Sequence, residues 1–391
     1  METSEALQGV KPSYIREILK AAKSPNMISL AGGLPSTEMI PTDLFSKALL
    51  HMCEQPAQDL CDLFQYGETA GYPPLLTTLR EYYSINKDQS LMITNGSQQG
   101  LDLIARAFIN PGEGVALEAP SYLGALQVFG LSQANIQTIK QNNDGPDLNE
   151  LEQLFSSHQI KLFYAVPDFH NPTGVCWSLN TRKQVAKLCQ QYHVTLVEDA
   201  PYRDLRFNGQ VLPLASSFCE GQSIVLRSFS KIAAPGIRLG MVSAPEHVLA
   251  PLIKIKQAAD LHTAIPLQAA LMSVLKDKGF PQHIDTIKNA YQDRYQQFSE
   301  LLSRLKPYGG EFNRVDGGMF VWLTLPKINA LETAKDLLQQ GIAVVPSTVF
   351  YHDSVNTPTA LRLNFTHATP NELKKSVIKI EHYLKDKNIK Y

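Results

Sequence analysis

The chain has 391 residues, 44% of them apolar and 19% charged, and a formal net charge of -1. That length is too great for one small core, so a large domain with a smaller companion is expected. The near-neutral balance, with no basic surplus and no acidic block, argues against a nucleic-acid partner and against a solvating tail.

Five cysteines, Cys53, Cys61, Cys176, Cys189 and Cys219, are scattered without a Cys-x-x-Cys pair. They read as buried free thiols in a reducing compartment rather than as a disulfide framework. Residues 1–10 are polar and lack the apolar core of a signal peptide. No apolar run is long enough to span a membrane. A cytoplasmic protein is the expectation, with a frayed lysine-rich end over 385–391.

In chain order, residues 12–22 have the spacing of a short amphipathic helix, with Ile15, Ile18 and Leu19 on one side. Residues 27–35 read as a short strand entering a glycine turn. From about 42 to 245, helical patterns (75–85, 101–108) alternate with short apolar runs at 115–117, 162–166, 195–197 and 224–226. Continuous apolar strands suit a sheet covered on both faces, and their alternation with helices predicts a doubly wound α/β sheet. Helical patterns then occupy 247–259, 267–275 and 284–305. Strand patterns follow at 319–323, 342–345 and 361–365, and a helix from 370 to about 384 closes the chain. The expected division is an N-terminal arm and small-domain segment over 1–41, a large domain over 42–283 and a C-terminal small domain over 284–391.

Several motifs are missing. There is no Gly-x-x-x-x-Gly-Lys loop and no Gly-x-Gly-x-x-Gly fingerprint. Gly96-Ser97-Gln98-Gln99-Gly100 is not in nucleophile-elbow order. No cysteine–histidine cluster has zinc spacing, so no metal is expected.

Six segments stand together instead. They are 96–100, Ala119-Pro120-Ser121-Tyr122, Asn171-Pro172-Thr173-Gly174, Glu198-Asp199-Ala200-Pro201-Tyr202, Ser228-Phe229-Ser230-Lys231 with Gly236-Ile237-Arg238-Leu239-Gly240, and Leu361-Arg362-Leu363. The central ones follow predicted strands, and ligands of open α/β sheets bind at the carboxyl ends of strands. In this ordered set the chain resembles the fold type I aminotransferases that depend on pyridoxal 5′-phosphate (PLP), the class I/II family, from about residue 12 to the end. Segments 29–35 and 96–100 resemble its 2-aminoadipate/kynurenine branch. The resemblance implies a large domain with a mainly parallel, seven-stranded-type sheet, a smaller α+β domain, and a homodimer with shared active sites. It also implies transfer of an amino group from an L-amino acid to a 2-oxo acid such as 2-oxoglutarate.

The residues carry matching chemistry. A lysine amine can bond an aldehyde when it is desolvated or near cations; the resemblance gives Lys231 that role. Ser228, Ser230 and Arg238 beside it form an anion-ready surround, and the resemblance gives them phosphate contacts. Ser97 and Gln98 open a helix whose free N–H groups favour an anion; Ser97 also reads as a plain N-cap. A carboxylate ending an apolar strand is costly without a partner. For Asp199 a pyridinium nitrogen supplies one, worth roughly 4 kcal/mol at about 4 Å and a dielectric of about 20 before desolvation. Glu198 competes, but strand alternation puts it on the other face, and the resemblance selects Asp199. Tyr202 and Asn171 can reach the cofactor's phenolic oxygen, although 171–174 is also a good turn. Arg362 offers a planar fork for the substrate α-carboxylate, with a structural salt bridge as the alternative.

By resemblance alone, Tyr122 covers the cofactor ring, Tyr66 reaches the phosphate of a neighbouring subunit, and Gly33 and Arg16 line the substrate side. A β-lyase or decarboxylase on the same fold is the nearest rival. The effector domain of a transcription regulator is a more distant one, because little chain precedes Ser29.

Overall fold

In the computed structural model, described over residues 2–8, 18, 24, 27–219, 221–353 and 357–387, the apolar runs become the strands of one large sheet. A two-residue strand, β1 (Ile28–Ser29), comes first. The large sheet contains β2 (Gln89–Thr94), β3 (Gly114–Ala119), β4 (Asn135–Asn142), β5 (Gly145–Pro146), β6 (Ile160–Ala165), β7 (Thr195–Asp199), β8 (Ser223–Ser228) and β9 (Gly240–Pro245). Their order is β2-β9-β8-β7-β6-β3-β4-β5.

The pairs β3–β4, β3–β6, β6–β7 and β7–β8 are parallel; β9 runs antiparallel to both its neighbours. The seven-stranded expectation gains one strand, because Gly145–Pro146 folds back on the end of β4 as a short antiparallel edge. Leu162, Leu196, Val197, Ile224 and Leu226 are buried. That is the outcome expected of apolar strands sandwiched between helices such as Ser97–Phe108, Leu179–Tyr192 and Glu246–Asp260. β4 escaped the sequence pattern because its buried isoleucines, Ile136 and Ile139, are three apart and show no period of two.

The C-terminal region builds a second, four-stranded antiparallel sheet. Its strands are β10 (Glu311–Phe312), β11 (Phe320–Thr324), β13 (Val345–Pro346) and β14 (Ala360–Asn364), in the order β10-β11-β14-β13. The single strand expected at 342–345 is split. Its first half, β12 (Ile342–Ala343), pairs in parallel with β1 and so brings the 28–35 segment to this end of the molecule. The long helix runs Gly279–Leu302, and a 3₁₀ stretch containing Pro307 completes the region expected to be helical to 305. The last helix, Pro370–Asp386, starts on a Thr369/Glu372 capping box, which satisfies two otherwise orphaned N–H groups.

Of the predicted 12–22 helix, only Ile18 is described; it is helical and buried. All five cysteines are free, but they are not all buried. Cys53 and Cys61 are exposed, because they lie on outward faces of the helices Thr42–Cys53 and Ala57–Phe64. Among the described residues no helix is long and apolar enough to cross a membrane.

Candidate active site

At the carboxyl ends of β6, β7 and β8, a cavity of about 530 Å³ is bounded by residues from segments far apart in the chain. Lys231, Asp199, Tyr202, Asn171, Arg362, Arg238, Ser97, Gln98, Tyr122, Ser228, Ser230 and Gly33 all border it. A larger groove of about 970 Å³ lies between the Gly279–Leu302 helix and β10–β11, away from these groups. Volume alone does not locate the chemistry.

Lys231 lies three residues after the end of β8, and its Nζ donates to the Gly33 carbonyl at 2.7 Å. Burial, together with the nearby guanidinium groups of Arg238 and Arg362, lowers its pKa to about 8. A substantial fraction of the amine is therefore neutral near physiological pH. Gly33 is also a tight position: a Cβ there would come within 3.2 Å of the Phe320 ring.

One side of the cavity is built for an anion. Gly96, at φ +81, precedes the helix Ser97–Phe108, and a Cβ on it would meet the Arg238 guanidinium at 2.6 Å. Glycine is required there both by conformation and by this approach. Ser97 is thus the first helical residue and not the cap, and no side chain caps this end. Ser97 and Gln98, in the first turn, border the cavity beside Arg238, whose Nη1 donates to Ser230 Oγ at 3.4 Å.

The opposite side centres on Asp199, the last residue of β7. Its Oδ2 accepts from the Tyr164 hydroxyl at 2.7 Å, whereas Oδ1 is buried with no partner among the described residues. Burial raises its pKa to about 7, against the opposing hydrogen bond from Tyr164. Glu198 points to the other face, as strand alternation requires, and accepts from the Ala215 and Ser216 backbone N–H groups.

Between the two sides, Asn171 Nδ2 donates to the Tyr202 hydroxyl at 3.3 Å, and Arg362 Nη1 donates to Asn171 Oδ1 at 2.8 Å. Arg362 also donates to the Ala31 carbonyl, and its guanidinium carbon sits 4.4 Å from the Phe320 ring centroid. It is 5% exposed, its Nε has no partner among the described residues, and burial lowers its pKa to about 10. Among the described residues, its hydrogen bonds go to an amide and a carbonyl rather than to a carboxylate. The Tyr122 hydroxyl donates to Gln98 Oε1 at 3.1 Å, and Gln98 in turn donates to the Gly124 carbonyl.

One expected residue borders no part of this cavity, and another cannot be placed. Tyr66 is 79% exposed and meets His262 edge-on at 5.9 Å, outside the pocket of its own chain. Arg16 lies outside the described residues. Two contributors were missed by the sequence reading. Tyr164 was hidden inside the apolar run 162–166. The Lys256–Asp260 pair braces the anion turn, with Asp260 Oδ2 accepting from Asn95 at 2.7 Å and from Gln99 at 2.6 Å. Only the i,i+4 spacing of Lys256 and Asp260 hinted at it.

The family described as aminotransferase class I and II matches residues 26–380. The chain belongs to that family. The aminotransferase is 35% identical to an aromatic-amino-acid aminotransferase of Thermococcus litoralis, over 98% of this chain and 94% of the relative. It is 34% identical to a 2-aminoadipate transaminase of Thermus thermophilus, over 91% and 89% of the two chains. A kynurenine aminotransferase of Pyrococcus horikoshii, solved with pyridoxamine phosphate and kynurenine, superposes with a TM-score of 0.93 at 33% identity, covering 98% and 97%. The fold is therefore type I, and the cofactor is PLP. The cavity fits that group, with an open helix end and Arg238 for its phosphate, an amine for its aldehyde and a partnerless buried carboxylate oxygen for its ring nitrogen.

Proposed function

We propose that the aminotransferase takes the amino group of an L-amino acid of aminoadipate, kynurenine, aromatic or branched type and passes it to a 2-oxo acid such as 2-oxoglutarate. The observation that carries the site assignment is the buried, unpartnered Oδ1 of Asp199, opposite a depressed-pKa lysine in one cavity.

When bound, PLP supplies an aldehyde that captures the amino group and a ring that withdraws electrons from the substrate carbon. The chain supplies everything else. The N–H groups at Ser97 and Gln98, with Ser228, Ser230 and Arg238, hold the phosphate. Asp199 keeps the ring nitrogen protonated, since a buried anion with one free oxygen gains most from a cationic partner. Asn171 and Tyr202 donate toward the phenolic oxygen, and Tyr122 covers the ring. Arg362 binds the substrate carboxylate in a water-poor setting where a charge-assisted fork is strong. Arg362 and Asn171 together would fix the orientation of the substrate at its α-carbon. Lys231 would hold the coenzyme aldehyde and, when its Nζ is free and neutral, would serve as the base that takes the substrate α-proton. Gly33 and Arg16 are assigned to the substrate side.

The assembly proposed is a homodimer in which Tyr66 reaches the neighbouring subunit's phosphate. Its support is an exposed apolar set, Leu49, Leu50, Phe64, Tyr66, Leu261 and Leu267, on adjoining elements of one chain. The cytoplasmic assignment rests on the five free thiols.

Because the neutral amine is the reactive form, capture of PLP by apoprotein is expected to quicken as pH rises and to level off above about 8. Stopped-flow absorbance reads this directly, and a rate independent of pH between 6 and 9 contradicts it. Substrate range is tested with a panel of amino donors and 2-oxoglutarate. The reading expects glutamate in one-to-one yield with donor consumed. Release of pyruvate and ammonia without any 2-oxo acid would make the enzyme a β-lyase.

A further inference from the structure

Behind the cavity lies a buried ionic cluster that the proposed reaction does not use. Asp168, 1% exposed, accepts from Arg182 at 2.8 Å and from Arg203 at 3.0 Å, with Arg206 3.6 Å away. Arg182 is fully buried and also donates to the carbonyls of Pro167, Trp177 and Pro213. This ties Asp168 to the helix Leu179–Tyr192. Burial alone would neutralise the Asp168 carboxyl, but Arg182 and then Arg203 outweigh it and hold its pKa below the usual range.

The chain positions of these groups matter more than their charge. Asp168 lies three residues before Asn171, on the loop that leaves β6. Arg203 follows Tyr202 directly, on the loop that leaves β7. The Asp168–Arg203 ion pair therefore spans the same two loops as the Asn171–Tyr202 hydrogen bond. Between Asp168 and Asn171, Phe169 adopts φ +55, which a bulky residue takes up only when its surroundings impose it. Its ring is held under the Arg206 guanidinium, at 4.7 Å; a Cβ on Gly317 would meet that ring at 2.3 Å, and one on Gly318 would meet the Phe169 Cβ at 2.5 Å. The loop carrying Asn171 is thus pinned on both sides.

We propose that Asp168 is a positioning residue that, through Arg203, sets Tyr202 against Asn171 and so keeps Asn171 on Arg362 for the substrate carboxylate. The inference rests on the carboxylate role given to Arg362 above. An ångström of drift in such a group can cost about 10²-fold.

Removing Asp168 itself would strand the buried Arg182 and threaten folding, so the test uses Arg203, which leaves Asp168 paired with Arg182 and Arg206. In PLP-loaded full-length enzyme, Arg203→Gln is expected to lower kcat/KM by about 10²-fold, with KM raised for both amino donor and 2-oxo acid. Coenzyme affinity, read by absorbance titration, should fall far less than kcat/KM, because Tyr202 and Asn171 meet only the phenolic oxygen while the phosphate contacts and Lys231 lie elsewhere. Arg203→Lys should recover most of the loss. Wild-type kcat and KM in Arg203→Gln, with only a lower melting temperature, would reduce the cluster to a structural role and overturn the proposal. Loss of coenzyme in parallel with activity would overturn it too. A wild-type enzyme that fails to transaminate at all would instead sink the reading on which the inference rests.

Discussion

Replacing Lys231 with alanine is expected to lower kcat by about 10⁴-fold, the largest loss of any single change in the chain. Two functions disappear together: the covalent hold on the coenzyme aldehyde and the base for the α-proton. The fold should tolerate the change. Among the described residues the Lys231 amine makes one hydrogen bond, to the Gly33 carbonyl, and burial already disfavours its charge. The measurement is steady-state transamination beside a thermal melt. Activity within tenfold of wild type, in folded protein, would remove Lys231 from the chemistry.

The second large effect concerns Asp199. Changing it to asparagine is expected to cost about 10³-fold in kcat, the scale of losing one preorganised electrostatic partner. Stability should move the other way at high pH. The apoprotein pKa of Asp199 is raised from 3.8 to about 7 by burial, so its folded form favours the proton. The stability linked to that proton is fully present below about 3.8 and is lost as pH rises through about 7. Asparagine carries no such penalty. Apo Asp199→Asn is therefore expected to melt at or above wild type at pH 8, while its turnover falls. A mutant that is less stable than wild type at pH 8 and as active would contradict both halves.

Much of this site was legible because its polar residues interrupt apolar strands. Asp199 ends an otherwise apolar run, and a period of two separates it from Glu198 without any structure. Lys231 and Arg238 flank a turn after β8, and Arg362 sits alone in a buried strand. The rest was hidden for physical reasons. The donor to Asp199, Tyr164, lies on a different strand and looks like one more core aromatic. Asp168 and Arg203 are separated by 35 positions in the chain, and nothing local marks them as partners. Ser97 was misread as a cap because the residue that occupies that place is a glycine, whose value is its positive φ and the space it leaves for Arg238. The split of the 342–345 strand reflects pairing with β1, a contact across the whole sequence that propensity cannot report. Tyr66 faces out of its own chain, so one chain by itself gives no sign of the role proposed for it.

The central claim is a covalent bond between Lys231 Nζ and the coenzyme aldehyde. Borohydride reduction of PLP-loaded enzyme followed by peptide mapping tests it most directly. The account predicts a pyridoxyl group on the peptide that contains Lys231, and its absence after amino donor has first been added without 2-oxo acid. A label on any other lysine, or unlabelled protein from a yellow preparation, would contradict it.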